Sequence, residues 1–169
     1  IADMSQVLSS AGTYKKGAWT LHMLRGIVGD TAFWTGVRDY YQRYRDRNAT
    51  TADFRRAMEE ASGKELGWFF DQWLTRGGFL KVRAQWSYDA SAKEVRIEVE
   101  QLQAGAPLRM PIEVGIATDG ETVLRSAAIE IKEQRQVLTI PLDRAPKSVT
   151  LDPRTFVLME AELAQAQRK

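Results

Sequence analysis

The sequence predicts an α+β chain in which a helical segment is followed by an all-β sandwich, and three observations carry that prediction. Apolar residues recur at helical spacing as far as Thr75, they alternate with period two from Leu80 onward, and the switch coincides with the pair Gly77-Gly78. A chain of 169 residues, 44% hydrophobic and 9% aromatic, can build the core of one domain or of two small ones.

The first element falls within "TYKKGAWTLHMLRGIVGD", residues 13 to 30. Trp19, Leu21, Met23, Leu24, Ile27 and Val28 cover more than one helical stripe, so this helix expects neighbours on several sides. In "TAFWTGVRDYYQRYRDR" the residues Phe33, Trp34, Val37, Tyr40, Tyr41 and Tyr44 define an apolar face opposite Arg38, Asp39, Gln42 and Arg43. Thr51 is a candidate N-cap for "ADFRRAMEEAS", with Asp53 in the positive first turn and Gly63 placed to end the helix. A short fourth helix is expected to turn Leu66, Phe69, Phe70, Trp73 and Leu74 inward before the glycine pair stops it.

Beyond it, Leu80, Val82, Ala84, Trp86 and Tyr88 alternate with Lys81, Arg83, Gln85 and Ser87, the pattern of a half-buried strand. Similar runs follow in "EVRIEVEQL", "MPIEVGIAT", "AAIEIK", "QVLTIPL", "SVTLD" and "FVLME", separated by turn signals such as Asp119-Gly120. About seven short strands at this spacing suggest a sandwich. The last residues, "AELAQAQRK", read as a tail, helical or frayed.

Composition narrows the chemistry. Twenty-four Lys and Arg against 22 acids leave a net charge of +2, a mixed surface with no basic patch for nucleic acid. No apolar run reaches the ~20 residues of a membrane span, so a soluble chain is expected, with its compartment left open. Without cysteine there is no disulfide, no thiolate nucleophile and no cysteine zinc site. His22 is the sole imidazole, whereas a catalytic zinc needs about three protein ligands, so His22 reads as a core or packing residue and no metal ligand is assigned. A serine triad meets the same shortage. Gly12 to Gly17 imitates a phosphate loop, but Ala18-Trp19 stands where Lys and Ser or Thr are needed. Glu59-Glu60 and Glu130 with Glu133 look like solvated charge, and the sequon at Asn48 to Thr50 marks an interhelix loop.

Several linked motifs nevertheless match a known pattern in the right order. The runs Tyr14 to Ala18, Leu21 to Arg25 and Phe69 to Leu74, within about residues 10 to 78, resemble the segment that follows the zinc-binding motif in aminopeptidase N-like zinc aminopeptidases. The resemblance implies the end of a thermolysin-like catalytic domain over residues 1–78, an immunoglobulin-like β-sandwich over 79–160 and a tail over 161–169. It also implies an enzyme that removes amino-terminal residues from peptides with one zinc, bound by an H-E-x-x-H motif and a later glutamate that precede this region in the family. The chain alone is then expected to be inactive, with zinc and peptide substrate belonging to the longer protein and an upstream catalytic domain packing on the helices.

By the same resemblance, Tyr14 aligns with the family tyrosine that stabilises the tetrahedral intermediate, although spacing alone would make it a packing aromatic at the start of a helix. A phenol is protonated at neutral pH and can donate to a developing oxyanion. Lys16 is the motif lysine, expected to anchor the helix start or its neighbours, and Gly17 is expected to permit a close helix approach. Lys15 stands where relatives often carry glutamate, and Gly78-Phe79 departs from the family's glycine-any-proline. Two rival readings are a non-catalytic aminopeptidase-like scaffold and, less favoured, a sandwich that binds carbohydrate or protein through exposed coplanar aromatics.

Overall fold

A computed structural model describes residues 14–119 and 125–166. The chain is mixed α+β, with four α-helices and two sheets among the described residues, and it divides into two compact units at Gly77/Gly78.

The first unit holds α1 (Lys16–Val28), α2 (Asp30–Tyr44), α3 (Thr51–Ser62) and α4 (Gly67–Phe70), the last running directly into a π-helical turn over Asp71–Thr75. α1 and α2 meet at Gly29, whose φ of 85° is a conformation that only glycine adopts cheaply. Arg25 bridges this break with a two-pronged contact to Asp30 at 2.8 and 2.9 Å. α2 and α3 pack closely because position 36 has no side chain: a Cβ there would lie 2.9 Å from Met58 Sδ and 3.2 Å from the Ala57 carbonyl oxygen. Met23, Leu24, Phe33, Met58, Leu66, Phe69 and Trp73 form the buried centre of the unit.

Three details differ from the sequence expectation. The N-cap of α3 is Thr50, not Thr51: its hydroxyl accepts from the Asp53 amide while the Asp53 carboxylate accepts from the Thr50 amide, a reciprocal capping box. Trp34 and Tyr41 face outward although they continue the α2 apolar pattern, because α3 covers only the Phe33 and Gly36 side. Leu74 is half exposed, while the π turn buries Gln72 and Trp73.

The second unit contains β1 (Leu80–Asp89), β2 (Glu94–Gln101), β3 (Met110–Thr118), β4 (Arg125–Ile131), β5 (Arg135–Pro141), β6 (Pro146–Leu151) and β7 (Met159–Gln165). One sheet has the order β5, β2, β1, β7 and the other β4, β3, β6. All pairings are antiparallel except β1 with β7. Each sheet buries one face. Leu80, Val82, Ala84, Trp86, Val95, Ile97 and Val99 come from the first sheet, and Met110, Ile112, Val114, Ile116, Ile129 and Ile131 from the second. The period-two pattern therefore marks the dry side of each strand.

The tail reading needs correction. Residues 161–165 are strand, and β7 begins only at Met159 rather than at Phe156. Asp152, at φ 49°, accepts hydrogen bonds from the amides of Phe156 at 2.9 Å and Val157 at 2.7 Å, so "FVL" belongs to a loop that plugs Val157 into the core. Glu160 and Glu162 pair with Lys81 at 3.0 Å and Arg83 at 3.7 Å on β1. The Asp119-Gly120 turn signal, Gly12 and residues 167–169 fall partly or wholly outside the described residues.

Candidate functional site at the start of the first helix

Tyr14 and Lys15 form a π-helical turn that leads into α1. The Tyr14 side chain is 66% exposed, and its hydroxyl has no hydrogen-bond partner among the described residues. The helix start lacks the usual stabilisers: no side chain caps it and no acid occupies its first turn. Two other bonds hold it. The Lys16 ammonium donates to the Arg76 carbonyl oxygen at 3.1 Å, and the Thr20 hydroxyl donates to the Lys16 carbonyl at 2.8 Å.

Along α1 the buried residues are Thr20, Met23 and Leu24, one stripe rather than a wholly buried helix. Trp19, Ile27 and Val28 are half-buried and Leu21 is exposed. His22 is also half-buried and packs edge-on to Trp19, with ring centroids 5.5 Å apart. It is a packing histidine at the margin of the unit, not a core one. Gly17 is corrected too: nothing lies within 4 Å of the Cβ it lacks, so among the described residues no helix approaches there.

No group of three or more His, Cys, Asp or Glu side chains placed to hold a metal occurs among the described residues. These residues do not fit a catalytic zinc, which needs about three ligands and an open position. Three of the four carboxylates singled out by sequence have local partners. Glu59 accepts from the Leu66 amide at 2.9 Å, Glu60 pairs with Arg43 at 2.6 Å and Glu130 with Arg109 at 2.7 Å. No helix among the described residues is long and apolar enough to cross a membrane.

One electrostatic cluster was invisible in the sequence pattern. The Asp53 carboxylate is held at a pKa of about 2, first by the Thr50 hydroxyl and amide, then by the Tyr44 hydroxyl, with Arg56 adding charge attraction. It serves the start of α3. On the second unit, a concavity of about 310 Å³ lies over the outer face of β1, β2 and β5. Its charges are already matched: Arg135 meets Glu100 at 2.6 Å, and Glu98 meets Arg96 at 3.2 Å. Trp86 is buried and the Tyr88 hydroxyl is tied to the Leu142 carbonyl at 3.1 Å, so neither aromatic offers a flat exposed binding face.

The Lys16–Arg76 link was beyond sequence reasoning because its acceptor is a backbone carbonyl 60 residues away. The motif lysine was the only available signal.

Comparison with known proteins places this site in context. Residues 1–73 match the Peptidase family M1 domain. Aminopeptidase N of Streptomyces lividans is 30% identical over 154 residues, covering 83% of this chain and 18% of that protein. Aminopeptidase N of Lactococcus lactis subsp. lactis is 36% identical over 83 residues, 49% of this chain and 10% of that protein. The fold is shared with the crystal structure of Legionella pneumophila aminopeptidase A in complex with aspartic acid, with a TM-score of 0.80 at 16% identity, covering 100% of this chain and 19% of that one. The chain thus spans between a tenth and a fifth of the length of these relatives. With the M1 match carrying the motif residues and the relatives extending it, the chain belongs to the aminopeptidase N-like family of M1 peptidases.

Proposed function

We propose that this chain is the carboxy-terminal portion of a zinc-dependent aminopeptidase that hydrolyses amino-terminal residues from peptides, and that Tyr14 donates a hydrogen bond to the oxyanion formed on the scissile carbonyl. One observation carries the reading: Tyr14 stands at the start of α1, inside the M1-matching segment, exposed and with its hydroxyl uncommitted among the described residues. A phenol offers a single O–H donor on a stiff ring, suited to an acceptor that gains charge in the transition state. In this reading a zinc would be held by residues of the longer protein outside this chain and would supply Lewis-acid polarisation of the carbonyl and activation of water.

The proposed division is a helical end of the catalytic domain over residues 1–78 and an immunoglobulin-like sandwich beyond it. Strand pairing supports the second part. β1 with β2 and β2 with β5 in one sheet, and β3 with β6 in the other, are the pairings of an immunoglobulin Greek key. Two strands depart from it: β4 pairs with β3 rather than with β5, and β7 pairs in parallel with β1 rather than with β6, carrying the sheet to Gln165.

Packing of an upstream domain on the helices is supported by Leu21 and Trp34, both nearly half exposed, and by the buried Trp73 indole N–H, which finds no acceptor among the described residues. The test is hydrolysis of an aminoacyl arylamide. The longer protein is expected to turn it over in a zinc-dependent manner, and residues 1–169 alone are expected not to. Zinc-dependent turnover by the 169-residue chain would overturn this division of labour.

A further inference from the structure

We propose that Lys16 is the positioning residue for Tyr14, holding the turn from which the phenol projects by anchoring it to the Arg76 carbonyl. The inference rests on the role proposed for Tyr14, and it adds a second residue of this chain to the same chemistry.

The geometry explains why a lysine is needed there. The Arg76 carbonyl follows the π turn over Asp71–Thr75, where chain carbonyls run out of intrahelical donors and the helix dipole is negative. An ammonium satisfies both conditions at once. The acceptor side is rigid, because Gln72 and Trp73 in that turn are buried. On the donor side the π-helical turn of Tyr14 and Lys15 runs without a break into α1, Lys15 itself being in helical conformation, so a tether at Lys16 acts directly on the turn that carries Tyr14. Lys16 thus ties the start of α1 to the end of the unit across 60 residues of sequence.

Tyr14 and Lys16 are two residues apart in a helical turn, a spacing that sends side chains to different sides. Lys16 grips the body of the unit while Tyr14 stays in solvent. Losing the grip would leave the phenol in place chemically but free to wander. Misplacement of a catalytic group by about 1 Å can cost ~100-fold in rate.

The experiment is a double-mutant cycle in the longer protein, assayed for the proposed zinc-dependent aminopeptidase activity, with Tyr14→Phe, Lys16→Met and both together. Lys16→Met keeps the length of the stem and removes the donor. It is expected to lower kcat about 10- to 100-fold with KM changed less than about twofold. Lys16→Arg, which restores a charged donor, is expected to recover most of that loss. In the Tyr14→Phe background, Lys16→Met is expected to have almost no further effect, because the group it positions is gone. Amide exchange at residues 18–20 is expected to speed up several-fold in Lys16→Met and to slow again in Lys16→Arg. If Lys16→Met and Tyr14→Phe multiply, Lys16 does not act through Tyr14, and the positioning proposal fails while the role of Tyr14 stands. An unchanged kcat in Lys16→Met also overturns it. If Tyr14→Phe alone is silent, the role of Tyr14 fails and the positioning proposal falls with it.

Discussion

Gln101 and Leu108 exchange a pair of hydrogen bonds, Nε2 to the Leu108 carbonyl and the Leu108 amide to Oε1, each at 2.8 Å. The Gln101 amide is fully buried, and Nε2 also donates to the Glu133 carbonyl at 3.1 Å while Oε1 accepts from Gln103. Two donors and two lone pairs are all used, which is the full capacity of a glutamine side chain. The residue clamps the end of β2 to the approach to β3 and to the β4–β5 turn.

Gln101→Leu is therefore expected to destabilise the chain by about 3 kcal/mol, because it strands a buried amide and at least one buried carbonyl. Urea denaturation of the two proteins checks it. Gln101→Glu keeps the shape but replaces a donor group with an acceptor facing two carbonyls, and it is expected to be at least as damaging. A loss below about 1 kcal/mol in Gln101→Leu would mean that water replaces the lost partners.

The capping cluster predicts a pH dependence. The Asp53 pKa falls from an ordinary 3.8 to about 2 in the folded chain, so between those values the unfolded state binds more protons and stability rises with pH. Its contribution is complete above the unfolded value and is lost as pH falls through about 2. Thermal melting of the native chain and Asp53→Asn is expected to show the native protein more stable at about pH 6, with the gap narrowing steadily as pH falls toward about 2. A constant gap would remove the Asp53 carboxylate charge from the account.

β7 makes a third prediction. Deleting residues 159–169 removes the parallel partner of Leu80 to Trp86 and leaves the edge of β1 unpaired beside a dry sheet face. The truncated chain is expected to self-associate at concentrations where the full chain does not, as sedimentation velocity would show. An equally monodisperse truncation would mean that β7 is dispensable for covering that edge.

Much of this architecture was legible because burial writes periodicity into sequence. The switch at Gly77-Gly78 and the alternation from Leu80 to Trp86 are direct records of which side chains are dry. Where legibility failed, polar atoms or missing neighbours decided the outcome. The N-cap falls on Thr50, one residue before the Thr51 that the sequence suggests, because Asp53 bonds reciprocally with Thr50 through its amide and its carboxylate. Glu162 reads as part of a tail because its partner, Arg83, is far away in sequence. Leu74 reads as inward on an α-helical period, whereas in the π turn it is half exposed. At the candidate site, Tyr14 could be named from its motif neighbours, whereas the lysine that anchors its turn binds a backbone atom and leaves no residue-type signature.

The central claim is that the phenolic hydroxyl of Tyr14 stabilises an oxyanion, and Tyr14→Phe in the longer protein, assayed for the proposed zinc-dependent aminopeptidase activity, tests it most directly. Removing one oxygen keeps the ring and its packing. The predicted result is a ~100- to 1000-fold fall in kcat, the usual cost of a lost oxyanion donor, with bound zinc and KM nearly unchanged. Turnover equal to that of the unsubstituted enzyme would contradict the account.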